Sequence, residues 1–307
     1  MNLRTTNIAR PGLANNRELV VIVGETASGK SALALMLAER YNGEIIAADS
    51  RTVYRGMDIG TAKPSSDEQA HVPHHLLNIV KPDEVYNVSV FQEQANEAIK
   101  DIHNRGKLPI LVGGTGLYTD SVLYGFSFRT PVDSIKRAEI EQLSTESMQS
   151  YLLSHDIKMP LNSQNRRHLI RAIETEGQQP LKNELRPQSL VIGLTVPKET
   201  LDTRISGRVE AMFTHGLEAE VCKLADKYGW ENEAMSAVGY REWKDYFAGI
   251  QTLEQTKQLI ITHTRQYAKR QRTWFKRSTH INWVSTPAAA QQIVMDFLQQ
   301  NKEANPL

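Results

Sequence analysis

Short apolar runs alternate with longer amphipathic stretches along most of this 307-residue chain. The runs with the length and aliphatic content of buried strands are residues 19–23, 44–48, 108–112 and 189–196. Apolar positions with helical spacing occupy residues 30–41 and 89–104. Because strands alternate with helices, the pattern predicts an α/β fold in which a parallel sheet carries helices on both faces.

A stretch of polar, helix-like sequence at 127–187 interrupts this alternation before the last strand. We therefore predict a flexible N-terminal tail at 1–17, a core formed by 18–126 and 188–307, and a mainly helical insertion domain at 127–187. The C-terminal part of the core is predicted to be helical at 198–228, 233–248, 252–278 and 287–300.

A glycine-rich loop follows the first strand directly. Its residues are Gly24, Glu25, Thr26, Ala27, Ser28, Gly29, Lys30 and Ser31. Glycines at both ends let backbone N–H groups turn around phosphate oxygens, the lysine adds a positive charge, and the last serine can hold Mg²⁺ as a helix begins. The sequence therefore predicts a P-loop NTPase-like core that binds a diphosphate or triphosphate, with Mg²⁺ as cofactor and Ser31 as its ligand.

An aspartate, Asp49, comes directly after the second predicted strand. In an open parallel sheet, ligands bind at the carboxyl ends of the strands, so this position is suited to chemistry. Asp49 could hold Mg²⁺ through water, or act as a base toward a substrate held against the loop. The alternative is that Asp49 and Ser50 form only a turn or helix cap.

Positive charge is concentrated near the C-terminus, although the net charge of the chain is only +1. Residues 255–290 contain no acidic residue. They contain the basic residues Lys257, Arg265, Lys269, Arg270, Arg272, Lys276 and Arg277, interleaved with Tyr267, Trp274 and Phe275. This composition favours a phosphate-binding track with stacking platforms for nucleic acid, and the alternative is a solvated basic helix face.

Cysteine content and hydrophobicity limit the compartment and the chemistry. The single cysteine, Cys222, excludes an internal disulfide and a cysteine-based metal cage, and its place in a helical pattern predicts a core side chain. The first seventeen residues lack the apolar stretch of a secretory signal, and no segment approaches the length of a membrane span. We therefore expect a cytosolic protein with no membrane partner.

Several further motifs, in one order, resemble those of a single family, the tRNA dimethylallyltransferases. Two of them are Gly-Met-Asp-Ile-Gly-Thr-Ala-Lys-Pro at 56–64 and Thr-Arg-Gln-Tyr-Ala-Lys-Arg-Gln at 264–271. The others lie at 24–31, 49–50, 74–77, 111–118, 171–174, 238–241 and 273–275. The resemblance covers nearly the whole chain, with two departures. Glu25 stands where many relatives have proline, which places an extra negative charge near the loop, and residues 165–168 align with the family only approximately.

The resemblance implies transfer of a dimethylallyl group from dimethylallyl diphosphate to N6 of the adenosine that follows the anticodon of a tRNA, at position 37, with release of diphosphate. It implies a catalytic base at Asp49 and further diphosphate contacts at Thr26 and Arg208. The anticodon stem-loop would be bound by Asp49, Ser50, Arg51, Thr52, Thr115, Arg137, Arg167, His168, Arg171, Gly239, Tyr240, Arg241, Lys269, Arg270, Arg272 and Lys276. The family favours tRNAs for codons that begin with U, and we expect a monomer.

Three other functions stay open at this point. An adenylate dimethylallyltransferase would share the phosphate loop and the donor but would act on a free nucleotide, without need of a basic surface. A P-loop kinase of small metabolites would share the loop, Asp49 and Mg²⁺. A non-catalytic RNA-binding protein would need the basic surface but leave the phosphate loop without a purpose.

Overall fold

The computed structural model describes residues 18–128, 134–178 and 181–304, so the predicted tail at 1–17 lies outside the described residues. The strands are β1 (Leu19–Gly24), β2 (Gly43–Ala47), β3 (His74–His75), β4 (Leu108–Gly113), β5 (Ser189–Leu194) and β6 (Ile281–Val284). The helices are α1 (Lys30–Tyr41), α2 (Ser66–His71), α3 (Val88–Asn104), α4 (Gly116–Tyr124), α5 (Ser134–Gln142), α6 (Thr145–Ser154), α7 (Arg166–Thr175), α8 (Lys198–Thr214), α9 (Leu217–Tyr228), α10 (Trp243–Phe247), α11 (Leu253–Phe275) and α12 (Pro287–Ala304).

The strands of the described chain form one parallel sheet in the order β3-β2-β4-β1-β5-β6. Strand β1 lies at its centre, and all six of its residues are buried, which explains its uninterrupted Leu-Val-Val-Ile-Val sequence. Helices α1 and α12 pack on one face through Leu33, Leu37 and Val294. Every βα connection on this sheet opens at the carboxyl edge, where the phosphate loop and Asp49 therefore meet.

Two compact units are present. The larger contains the sheet, and the smaller is Tyr124–Glu184. The smaller unit has its own core, in which Met148 and Leu152 of α6 pack against Leu169 and Ile173 of α7. In the described ranges, no helix is both long and apolar enough to cross a membrane.

The α/β class and the parallel sheet are as predicted, but several boundaries were wrong. The predicted helix at 198–228 is two helices, because Gly216 adopts a left-handed φ of +93° between α8 and α9. Most of the predicted helix at 233–248 is irregular, with one 3₁₀ turn at Ala234–Ser236 before the short α10. The short strands β3 and β6 were not predicted, and Cys222 is half-buried on α9 and not in the core.

A buried carboxylate on β2 pairs with basic side chains near the amino-terminal edge of the sheet. Glu44 on β2 is 1% exposed and contacts Arg105, Lys107 Nζ at 2.7 Å and His75 Nε2 at 2.7 Å. Burial alone would raise the pKa of Glu44, but the hydrogen bonds from these groups outweigh it and lower the pKa to about 2. The ion pairs therefore stabilise the sheet near neutral pH.

We expect Glu44→Gln to lower the free energy of unfolding by about 2 to 3 kcal/mol at pH 7, because two cations lose a buried charged partner. The matched control is Asp101→Asn, since Asp101 is 61% exposed and pairs with the same arginine. Its cost should stay below about 0.5 kcal/mol. Urea unfolding of the unaltered protein and the two variants measures both free-energy changes. Equal effects of the two substitutions would contradict the stabilising role of the buried Glu44 carboxylate.

The stability that Glu44 provides should also depend on pH. Because its folded-state pKa is depressed, this contribution is fully present above pH 4.5, its ordinary pKa, and is lost as the pH falls toward about 2. The difference in the free energy of unfolding between the unaltered protein and Glu44→Gln should therefore become smaller as the pH falls below 4.5. The same urea unfolding measurements, repeated at several pH values, check this.

Candidate active site

The phosphate loop connects β1 to α1 at the carboxyl edge of the sheet. Gly24 ends the strand, Gly29 has a left-handed φ of +100°, and α1 begins at Lys30. Lys30 Nζ donates a hydrogen bond to the carbonyl oxygen of Glu25 across the loop. The strand, loop and helix order is therefore the one that the glycine-rich sequence predicts.

The turns after β2 and β4 approach each other beside this loop. A Cβ atom at Gly113 would lie 2.0 Å from the carbonyl oxygen of Ala48, so only glycine fits there. Thr115 Oγ1 accepts a hydrogen bond from the backbone N–H of Ser50 at 3.2 Å. This close approach places Asp49 next to the phosphate loop.

These segments surround a cavity of about 880 Å³. Among the described residues that line it, one is acidic, Asp49, and six are lysine or arginine: Lys30, Arg51, Arg204, Arg208, Arg241 and Arg270. Apolar side chains of α8 and α11 line another part of its wall, namely Ile205, Val209, Met212 and Ile260. The cavity is therefore suited to an anionic ligand that also carries an apolar group.

Lys30 and Arg208 are half-buried cations of this cavity. Burial, with repulsion from Arg208 as a second cause, lowers the pKa of Lys30 to about 8, while Asp49 and Glu25 oppose the shift. Burial also lowers the pKa of Arg208, and Asp49 opposes that shift. A bound anion would favour the charged forms of both side chains. We therefore regard Lys30 and Arg208 as the main anion-binding groups of the cavity.

Arg208 reaches the phosphate loop from α8. Its Nη1 lies 3.4 Å from Thr26 Oγ1, and its Nη2 donates to the carbonyl oxygen of Thr61 at 3.2 Å. Thr26 and Arg208, which the resemblance assigned together, are therefore in direct contact. Arg204 lies one turn earlier on the same face, with Nη1 3.3 Å from the carbonyl oxygen of Ser28.

A model of the IPP transferase family matches residues 52–278 of this chain. The chain belongs to the IPP transferase family. It is 37% identical over 308 residues to the tRNA dimethylallyltransferase of Staphylococcus epidermidis, an alignment that covers 94% of this chain and 93% of that protein. It is 43% identical over 287 residues to tRNA dimethylallyltransferase 2 of Geotalea uraniireducens, with 88% and 93% covered.

Solved structures of two relatives have the same fold. The full-length tRNA isopentenylpyrophosphate transferase of Bacillus halodurans superposes with a TM-score of 0.74 at 36% identity, covering 94% of this chain and 99% of that chain. A eukaryotic dimethylallyltransferase acting on tRNA superposes with a TM-score of 0.79 at 28% identity, covering 93% and 80%. The fold of this family member is thus shared across most of its length.

Glu25 is neutralised in this IPP transferase. Its side chain is buried and faces Arg272 of α11, with Nε–Oε1 and Nη2–Oε2 distances of 2.8 and 3.0 Å. The expected extra negative charge near the loop is therefore balanced by an arginine. The same contact occupies Arg272, which the sequence assigned to tRNA.

Gln271 holds the phosphate loop from the neighbouring position on α11, and the sequence analysis did not select it. Its Oε1 accepts from the backbone N–H of Thr26 at 2.7 Å, and its Nε2 donates to the carbonyl oxygen of Gly114 at 2.9 Å. A polar residue between Ala268 and Phe275, on the buried face of α11, was the available signal. Arg204 was missed too, although its spacing of four from Arg208 predicts a shared helix face.

Most of the residues assigned to tRNA fall into three groups, with Arg270 in two of them, and Thr115 lies in the turn after β4. Those that line the cavity are Asp49, Ser50, Arg51, Thr52, Gly239, Arg241 and Arg270. Exposed residues of α11 and its C-terminal end are Lys269, Arg270 and Lys276. The smaller unit carries Arg137, Arg167, His168 and Arg171, where Arg137 pairs with Glu174 at 2.7 Å and the side chain of Glu174 is 3% exposed.

Two aromatic assignments need correction. Phe275 is 3% exposed, and Tyr240 is fully buried with its hydroxyl 2.7 Å from Glu220 Oε1, so neither ring is available to stack on or contact RNA in this structure. Trp274 is half-buried, donates to Asp120 Oδ2 at 3.1 Å and lies against Gly116. Tyr267 lines the cavity, where burial, with the charge of Asp49 as a second cause, raises its pKa to about 12.

The pKa of Lys30 can be tested by labelling. We expect the rate of acetylation of Lys30 to rise with pH around a midpoint near 8, below the ordinary 10.5, because burial favours the neutral amine. Inorganic diphosphate should move the midpoint upward, since an anion favours the ammonium form. Peptide mass spectrometry after pulses of acetic anhydride measures this, with exposed Lys269 as the internal reference for the reagent. A Lys30 midpoint near 10.5 without diphosphate would contradict the expectation.

Proposed function

We propose that this protein transfers the dimethylallyl group of dimethylallyl diphosphate to N6 of adenosine 37, which follows the anticodon, in tRNAs for codons that begin with U. The observation that carries the proposal is the cavity in which the half-buried cations Lys30 and Arg208 lie beside the phosphate loop while Asp49 faces them. An allyl diphosphate supplies the anion and the apolar group that such a cavity accommodates.

Lys30 and Arg208 would stabilise the diphosphate as it leaves. When the bond between the allyl carbon and oxygen breaks, negative charge gathers on the diphosphate while the carbon forms its new bond to N6. Lys30, Arg208 and the loop N–H groups then stabilise the transition state more than the ground state. Ile205, Val209, Met212 and Ile260 are the proposed contacts of the dimethylallyl group.

Asp49 is the proposed base. The adenine amino group is a weak nucleophile because its lone pair is delocalised into the ring, and it must lose a proton as the new bond forms. Asp49 Oδ1 accepts the backbone N–H of Arg51 at 2.8 Å, which holds the carboxylate toward the cavity. The adenosine must leave its stack to reach this group, which costs a few kcal/mol that contacts to the anticodon loop must offset.

Mg²⁺ is proposed as the cofactor that accompanies the diphosphate. The described residues contain no cluster of three or more His, Cys, Asp or Glu side chains suited to a metal. Ser31 and Asp49 do offer oxygen atoms on the cavity wall, which fits a cation that takes one or two protein ligands and completes its shell with phosphate oxygens and water. When bound, Mg²⁺ would neutralise charge on the departing diphosphate.

Basic side chains of each unit are the proposed contacts for the anticodon stem-loop. On the larger unit these are Arg51, Arg241, Lys269, Arg270 and Lys276, and on the smaller unit Arg137, Arg167, His168 and Arg171. Arg51 is held by Glu233, with Nη2 2.9 Å from Oε1. Phosphate contacts of this kind position an RNA, while the pocket selects the base.

Nucleoside mass spectrometry tests the proposed function directly. Unmodified tRNA is incubated with the protein, Mg²⁺ and dimethylallyl diphosphate, and a parallel reaction contains ATP without the allyl donor. We expect dimethylallyladenosine only in the first reaction. Product with AMP but not with tRNA would move the assignment to the free-nucleotide transferases, and consumption of ATP without any transfer would indicate a kinase.

Replacement of the base separates chemistry from binding. We expect Asp49→Asn to lower the single-turnover rate by about 10² to 10⁴, the usual contribution of a general base. Because asparagine still offers an oxygen to the Arg51 N–H, the turn is preserved and the Kd for tRNA should change little. A filter-binding measurement beside the kinetics checks this, and a parallel loss of tRNA affinity would show that Asp49 acts in binding.

A further inference from the structure

The loop of residues 57–63 lies between the phosphate loop and α9. Its residues Gly60, Thr61 and Ala62 line the active-site cavity, although neither strand nor helix holds them. A loop without a hydrogen-bond ladder needs other partners for its backbone groups. Those partners decide where its cavity-lining atoms lie.

One carboxylate is the partner of three of these groups. Glu220 of α9 accepts hydrogen bonds from three successive backbone N–H groups, with Oε2 3.0 and 2.8 Å from the nitrogens of Asp58 and Ile59, and Oε1 3.0 Å from that of Gly60. Hydrogen bonds to an ionised acceptor are about twice as strong as neutral ones. The Glu220 carboxylate therefore fixes the backbone of residues 58–60 in the way that an anion bound to their N–H groups would.

Tyr240 completes the arrangement. Its hydroxyl donates to Glu220 Oε1 at 2.7 Å, and burial, with the charge of Glu220 as a second cause, raises its pKa well above the ordinary value, so it remains a donor. A Cβ atom at Gly60 would lie 2.5 Å from the Tyr240 ring, so the loop backbone rests on that ring. The glycine at 60 and the tyrosine at 240 thus belong to one contact.

The next residue of the loop contacts the catalytic arginine. The carbonyl oxygen of Thr61 accepts from Arg208 Nη2 at 3.2 Å, while Arg208 Nη1 reaches Thr26 Oγ1 at 3.4 Å. Arg208 is half-buried, and its guanidinium hydrogen bonds in the described chain go to these two loops. The position of the Thr61 carbonyl therefore sets the direction of Arg208.

We propose that Glu220 and Tyr240 are positioning residues for the diphosphate site, because they fix the 57–63 loop whose Thr61 carbonyl aims Arg208 at the ligand of the phosphate loop. This inference rests on the proposed function, since Arg208 is taken as a diphosphate contact. It gives Tyr240 a role inside the protein in place of a contact with tRNA.

Glu220→Gln tests the proposal. The glutamine has the same shape but no charge, and in either orientation its NH₂ group faces a backbone N–H, so one or two of the three loop hydrogen bonds are lost. We expect the Kd for inorganic diphosphate with Mg²⁺, measured by titration calorimetry, to rise about tenfold, which corresponds to about 1.4 kcal/mol. The KM for dimethylallyl diphosphate should rise in parallel, and the Kd for tRNA should not change.

The same helix offers a matched control. Glu218 accepts from the hydroxyl of Tyr246 at 2.8 Å, a glutamate–tyrosine pair like the first, and within the described chain it makes no hydrogen bond or ion pair with the 57–63 loop. We expect Glu218→Gln to leave diphosphate affinity unchanged.

Tyr240→Phe is a second test of the proposal. It removes a single hydrogen bond and keeps the ring under Gly60, so the Kd for diphosphate should rise about two- to threefold. This variant replaces Glu220→Gln as the test if Glu220→Gln does not fold.

A double-mutant cycle separates positioning from general destabilisation. If Glu220 acts through Arg208, then Glu220→Gln should cause no further loss of diphosphate affinity in an Arg208→Met protein. Additive losses, or an unchanged diphosphate Kd for both Glu220→Gln and Tyr240→Phe, would overturn the proposal. Absence of diphosphate binding by the unaltered protein would contradict the proposed function itself and remove the inference with it.

Discussion

The desolvation of two cations at one end of the sheet is the constraint on which the rest of this site depends. Lys30 and Arg208 have lowered pKa values because burial penalises their charged forms, and they also repel each other. Asp49 opposes both shifts but carries a single charge. A ligand with several negative charges therefore gains more from this cavity than a neutral one, and charge that develops on a leaving diphosphate is stabilised where it forms.

Keeping these charges in place requires rigid backbone around them, and polar side chains that are buried or half-buried provide it. Gln271 binds Thr26 of the phosphate loop, Glu220 binds three N–H groups of the 57–63 loop, and Glu242 accepts from the N–H of Gly239 at 2.8 Å. Gln271 comes from α11 and Glu220 from α9, while Glu242 directly precedes α10. Helix α11, which carries the exposed Lys269 and Arg270, thus also shapes the diphosphate site, and this is the preorganisation that electrostatic catalysis needs.

Strand β1 and helix α1 could be predicted because their apolar patterns are long and the phosphate loop marks the boundary between them. Strand β3, with two residues, and strand β6, with exposed Trp283, are too short or too mixed to show a period. The aromatic residues of α11 show a different limit. Their alternation with positive charge indicated stacking platforms, but the helix turns Phe275 into the core and leaves Trp274 half-buried against Gly116.

By itself, the sequence determined the α/β class, the phosphate loop, the position of Asp49 after a strand and the basic character of the C-terminal region, because each depends on local pattern or on the order of elements. The tertiary structure alone decided which polar groups meet. Glu25 with Arg272, Gln271 with Thr26, and Glu220 with residues 58–60 are separated by 247, 245 and about 160 positions. Spacing along one helix or strand cannot reveal such pairs, because they form only when the sheet and the C-terminal helices have packed.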